Sequence, residues 1–279
     1  MRLRLWHAAD GTRVAYREAG AGPALVLLHS LLLTHREWEP AVEHLSHRFR
    51  LLLPDLPLHG DSEDRPRHPY TLPWYAEVMS AFCEQTAGPR PLVGGHGIGA
   101  EILLHAATSG WLRPARLVLM TTRLHHGASE ERRVRAWRLA ARAGALPGLD
   151  RALTHAARAT FRPSWGERLS AHENPAARDL VRHAFADVGG DASRARAWAR
   201  HARRWPANAD PALLDAYAEL TFPVLLLWAG ADARHPLAGA EEALARLPAG
   251  QLRVLAGAGF LMAYDDPVGL ARELIAFCG

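Results

Sequence analysis

The chain has 279 residues, enough for one large domain or two small ones, with a core that needs no disulfide or metal staple. Hydrophobic residues make up 49% and charged residues 22%, which excludes a disordered or fibrous chain. The net charge is +4, and all 33 basic residues are Arg, so no lysine Schiff base can form.

The opening residues MRLRLWHAADGTRV lack the apolar stretch of a secretory signal. No apolar run reaches the ~18 residues that a membrane span needs. Two cysteines, Cys83 and Cys278, make no disulfide framework, so the expected location is a reducing cytoplasm. Residues 2–6 and 12–18 read as short strands around a turn at Asp10-Gly11. Ala24–Leu28 is a continuous apolar run, the pattern of a strand buried on both faces, and Arg50–Leu53 is another. Thr71–Ala87 has helical spacing, Pro91–Val93 is a strand running into a glycine-rich turn, and Ala100–Ser109 is helical. Leu117–Met120, Val224–Trp228 and Leu252–Leu255 read as strands, Gly239–Leu247 and Val268–Phe277 as helices. This alternation predicts a mostly parallel sheet with helices on both faces.

The alternation breaks between Arg123 and Leu220. That stretch reads as helical, with Trp137, Trp165, Trp198 and Trp205 spaced through it and turns at Pro147-Gly148 and Gly189-Gly190. It is read as an inserted helical cap over 123–220, on a core of 1–122 and 221–279. From Arg123 to Glu219 there are 17 Arg against 11 acidic residues, and in the remainder 16 against 18. The Arg residues follow amphipathic patterns, which fits solvated helix faces and not a nucleic-acid surface. The basic cap would suit an acidic small molecule or short peptide; no membrane partner is expected, and the oligomeric state is not legible.

The sharpest local feature is Val93-Gly94-Gly95-His96-Gly97-Ile98-Gly99-Ala100, between a strand and a helix. Its alternating glycines let the strand turn sharply and the helix pack closely. A dinucleotide site is the first rival, but the chain's first strand ends in Leu28-His29-Ser30-Leu31 and not in G-x-G-x-x-G. Further segments carry a family pattern. They are His29-Ser30, Asp55-Leu56-Pro57-Leu58-His59-Gly60-Asp61-Ser62, Trp228-Ala229-Gly230-Ala231-Asp232, Gly257-Ala258-Gly259-Phe260 and Asp265-Asp266-Pro267. Together, and in this order, they resemble the capped branch of the α/β-hydrolase superfamily over nearly the whole chain. The resemblance implies an oxyanion loop at His29-Ser30 and a D-x-x-G-H-G-x-S loop at 55–62, with Leu58 in place of a glycine. It also implies a nucleophile elbow at 95–99, an acid at Asp232 and a histidine position at 260.

Two departures bear on function. Gly97 stands where the family has its nucleophile and Phe260 where it has its histidine base; only the acid, Asp232, is kept. Glycine offers no attacking oxygen and phenylalanine no titratable group, so Ser-type acyl transfer by side chains at these two positions is excluded. The backbone N–H groups of Leu31 and Ile98 could still hold an oxyanion. Substrate would lie against Ser30, Leu32, His96, Gly97, His125, Phe260 and Leu261. His29, His59 and His96 read as buried loop histidines; His125, His126 and His235 could reach the pocket, but the favoured reading for them is a surface position. Phe260 beside Asp232 is expected to raise that carboxyl's pKa and suit it to proton transfer, against an alternative in which Asp232 caps a turn or pairs with an Arg. No zinc spacing is present, so neither metal nor cofactor is expected.

The pattern resembles nucleophile-less relatives in natural-product pathways, including peptide epimerases of the bottromycin type. That resemblance implies an epimerase or isomerase exchanging a proton next to a carbonyl, with a carboxylate of the substrate itself as a base. Two other readings stay open: a catalytically inactive ligand-binding protein of the same fold, and a hydrolase with a displaced nucleophile such as Ser30 or Asp232.

Overall fold

The fold was analysed in a computed structural model, which describes residues 1–65, 67–125, 139, 169–188, 192–205, 210 and 212–279. Strands β1 (Arg2–His7) and β2 (Arg13–Ala19) form an antiparallel hairpin. They are followed by β3 (Ala24–Leu28), a 3-10 turn (His35–Trp38), α1 (Glu39–Leu45) and β4 (Arg50–Pro54). Next come α2 (Leu72–Ala87), β5 (Leu92–His96), α3 (Ile98–Thr108) and β6 (Arg116–Met120). Helices α4 (Pro175–Val188), α5 (Ala192–Arg204) and α6 (Leu213–Ala216) lie between β6 and β7 (Val224–Ala229). The chain closes with α7 (Leu237–Leu244), β8 (Gly250–Leu255), α8 (Met262–Asp265) and α9 (Pro267–Cys278).

The eight strands form one sheet in the order β1-β2-β4-β3-β5-β6-β7-β8, parallel from β4 to β8. Side-chain alternation builds a core on each face. Val26, Leu28, Leu52, Leu117, Leu119, Val224 and Leu226 pack with Phe82 of α2, Ile102 of α3 and Ala240 of α7. Leu25, Leu27, Leu51, Leu53, Val118, Met120, Leu225 and Leu227 pack with Ala41 and Leu45 of α1 and Leu270 and Leu274 of α9. Apolar side chains on both faces are what continuous runs such as ALVLL require. The sequence reading missed α1, whose Pro40 and flanking Glu residues hide a short amphipathic turn, and it stopped β5 before Gly94 and Gly95, which are strand residues.

Among the described residues between Arg123 and Leu220 there is no strand. Helix α4 lays Leu180, Val181 and Phe185 on Leu33, Leu261 and Tyr264. Helix α5 puts Trp198 edge-on to His59, ring centroids 4.8 Å apart, and Trp205 edge-on to Tyr75 at 5.7 Å. These tryptophans are buried packing groups, 3% and 6% exposed. Trp137, Trp165, His126 and the Pro147-Gly148 and Gly189-Gly190 turns lie outside the described residues. No helix among the described residues is long and apolar enough to cross a membrane.

Candidate active site

The loops after β3, β5, β7 and β8 converge at the C-terminal edge of the parallel strands, where ligands bind in open α/β sheets. Register explains the central contact. Leu28 pairs with Gly95, so two residues further on Ser30 comes to lie beside Gly97. Gly97 has φ +52 and ψ −119, and its N–H donates to the Met120 carbonyl while its own carbonyl accepts from Thr122 Oγ1 at 2.9 Å. A side chain at 97 would put its Cβ 2.1 Å from Ser30 Oγ and 3.2 Å from Phe260 Cζ. The Ser30 hydroxyl therefore fills the space that the missing elbow side chain vacates. Gly95 and Gly99 are required for another reason: a Cβ at 95 would meet the Gly99 backbone at 2.4 Å, and one at 99 would meet the Leu28 carbonyl at 2.5 Å.

The Ser30 loop is held by its backbone. Ser30 N–H donates to Glu37 Oε2 at 2.7 Å, and the Ser30 carbonyl accepts from His29 Nδ1 at 2.7 Å and Leu33 N–H at 3.2 Å. His29 Nε2 accepts from Leu56 N–H at 2.9 Å. These two bonds fix His29 as a neutral ring, and burial pushes its pKa down. Glu37 bridges: its other oxygen accepts from His96 Nδ1, so one buried carboxylate ties the β3 loop to the elbow. Sequence reasoning missed Glu37. A lone glutamate before a tryptophan carries no motif, and its burial depends on the short turn at 35–38. Among the described residues, the N–H groups of Leu31 and Ile98 donate to no acceptor, and Ile98 opens a helix with no side-chain cap. Leu32 takes φ +67, a strained loop conformation for a branched side chain.

Asp232 caps the turn that follows it, as one expectation had it, and does not carry the raised pKa of the other. Its Oδ2 accepts from His235 Nδ1 at 2.6 Å, and its Oδ1 from Arg234 N–H at 3.0 Å. Burial alone would push the carboxyl up, but the His235 hydrogen bond and charge, with Arg234, outweigh it and hold the group below its ordinary value. The His235 ring stacks on Phe260, centroids 5.3 Å apart and planes 19° from parallel. On the Phe260 ring also lies His96, at 4.2 Å. The imidazole hydrogen-bonded to Asp232 is thus His235 of the β7 loop, three residues past the acid, and the β8 loop contributes Phe260.

Other expected contacts go elsewhere. His125 reaches Tyr217 Oη at 3.3 Å and Glu242 Oε2 at 3.1 Å, away from the elbow. Leu261 is 1% exposed and packs with Leu180 and Phe185, so its side chain serves the core. Ser30 and His96 are buried, Ile98 is 6% exposed, Leu32 and Phe260 are half-buried, and Leu31 is exposed. Asp265 accepts from Gly259 N–H at 2.7 Å and Ala171 N–H at 2.8 Å, pinning the Phe260 loop against residues 169–171. A cavity of about 270 Å³ opens beside that contact, lined by residues 170–174, Ala177 and Arg178. No cluster of metal-ligating side chains occurs among the described residues.

The family described as "alpha/beta hydrolase fold" matches residues 23–267. The chain belongs to that family. An uncharacterised protein of Mycobacterium tuberculosis is 27% identical over 272 residues, covering 94% of this chain and 77% of its own. A pimeloyl-[acyl-carrier protein] methyl ester esterase of Xanthomonas campestris is 36% identical over 110 residues, 39% of this chain and 41% of that protein. The crystal structure of an α/β-hydrolase fold protein from Burkholderia ambifaria superposes with a TM-score of 0.80 at 23% identity, covering 98% of this chain and 97% of that one. At that identity the likeness is one of fold.

Proposed function

We propose that this α/β-hydrolase-fold protein is a proton-transfer enzyme, an isomerase or epimerase that removes and returns a proton at a carbon next to a carbonyl. The observation that carries the reading is the Asp232–His235 pair stacked on Phe260 at the elbow. With Nδ1 donating to Asp232, Nε2 is the ring nitrogen left to take a proton from the substrate. The N–H groups of Leu31 and Ile98, with the positive end of α3, suit the oxygen of an enolate. Carbon-acid chemistry needs only a base and an oxyanion floor. It needs no side chain at 97. His235 also supplies the protein base that the sequence did not identify, so a carboxylate on the substrate is not required for this role.

The substrate in this proposal is a small molecule or short peptide bearing a carbonyl, in the manner of the bottromycin-type epimerases that the sequence resembles. The segment 123–220 would serve as its cap. The Xanthomonas relative, by its name, acts on an ester carbonyl, which shares the need for an oxyanion floor but not for the chemistry proposed here. Incubation in D₂O with N-acylamino acid amides and short acidic peptides tests the reading. Deuterium should enter next to the carbonyl, and His235→Gln should slow its entry by about 10²–10⁴-fold. A compound that binds tightly, yet shows neither deuterium uptake nor stereochemical change, would replace the enzyme with a ligand-binding protein.

A further inference from the structure

The Ser30 side chain has no part in that reading, yet its position is specific. We propose that Ser30 is an electrophile-accepting site, a hydroxyl hung from the β3 loop that takes up an acyl or phosphonyl group beside Gly97. Four observations converge on it. Ser30 Oγ lies 2.1 Å from the point where a Cβ of residue 97 would sit. Ser30 is 3% exposed, and its hydroxyl makes no hydrogen bond among the described residues, so no other partner holds the oxygen. The backbone around it is fixed by Glu37, His29 and Leu33, which holds the oxygen in place. The N–H groups of Leu31, next in the chain to Ser30, and of Ile98, next to Gly97, donate to no acceptor among the described residues and would serve as donors to a tetrahedral centre built on Ser30.

The base in this proposal is His235, whose ring stacks on Phe260, and Phe260 Cζ lies 3.2 Å from the point beside Ser30 Oγ where a Cβ of residue 97 would sit. The backbone of that loop is pinned by Asp265 and by Leu261 N–H donating to the Leu169 carbonyl at 2.9 Å. Displacement of the Phe260 side chain is the movement that the proposal requires for imidazole and hydroxyl to meet. With a fluorophosphonate, the Oγ–P bond forms and the P–F bond breaks. Fluoride leaves with the bonding electrons, and the hydroxyl proton passes to His235 Nε2. With an activated ester, the acyl carbon takes the place of phosphorus, and the departing phenolate recovers the proton from His235.

An alkyl fluorophosphonate is the probe, read by intact mass and peptide mapping, with thermal melting to confirm that each variant is folded. The expected result is a single phosphonyl group on Ser30 and none in Ser30→Ala. Phe260→Ala should label faster, on the order of tenfold, because the ring no longer fills the space beside Gly97, and His235→Gln slower by about 10²-fold. Labelling at Ser30 in Phe260→Ala alone also supports the site, with the ring as its shutter. No adduct in either folded protein, or an adduct that survives Ser30→Ala, overturns it. The proton-transfer reading needs no hydroxyl, so it stands or falls separately on deuterium exchange.

Discussion

Gly97 and Ser30 are one unit at the scale of single residues. A methyl group at 97 would meet the Ser30 hydroxyl and hold a non-glycine residue at φ +52. Gly97→Ala is expected to destabilise the protein by about 2–4 kcal/mol, from overpacking and from the left-handed backbone. Adding Ser30→Gly should recover only the packing share, a coupling of about 1–3 kcal/mol in urea unfolding. Strict additivity would mean that the two positions do not touch. Asp232 carries a second prediction at this scale. Its carboxyl is held below the ordinary 3.8 in the fold, so the stability it contributes is complete above that value and is lost as pH falls through the depressed one. The gap between wild type and Asp232→Asn should be level near about pH 5 and shrink towards about pH 3. A gap constant to the acid end would show that the carboxyl is not depressed. Leu58 shows the same logic without a variant. It occupies a glycine position of the 55–62 loop at φ +78 while fully buried, so side-chain burial offsets about 1–2 kcal/mol of backbone strain.

Between elements, the junction of α5 with the sheet loops is built from imidazoles and aromatic rings. His59 lies 4.9 Å from His29, 4.8 Å from Trp198 and 6.5 Å from His201. Burial is the chief reason its pKa sits well below 6.5, and neighbouring His29, His201 and Arg194 add to the shift. The folded chain therefore keeps His59 neutral, while the unfolded chain binds a proton below about pH 6.5. Stability should be fully present above that pH and fall as the solution is acidified. His59→Asn, which can still donate to the Pro57 carbonyl, should show a shallower decline between about pH 6.5 and 5 in chemical denaturation. An unchanged slope would place the acid sensitivity in other groups. The sequence made some of these elements plain and hid others. Strand β3 was legible because every residue is apolar, and α2 because its apolar residues recur at helical spacing. The Glu37–His96 bridge was not, because a hydrogen bond across 59 residues leaves no local spacing. The Asp232–His235 pair was half visible, since the two residues are three apart in the chain but the stacking of His235 on Phe260 depends on two separate loops.

For the whole molecule, the decisive feature is that four loops from neighbouring strands end within one small volume. A hydroxyl, an imidazole and a carboxylate can then be supplied by whichever loop has room, and the chemistry need not stay with the segment that first carried it. The contact between positions 30 and 97 also couples two loops. A side chain at 97 would put its Cβ 2.1 Å from Ser30 Oγ, so the hydroxyl would have to rotate away to admit it. The present place of that hydroxyl and a side chain at the elbow exclude one another, and a change at either position resets the room at the other.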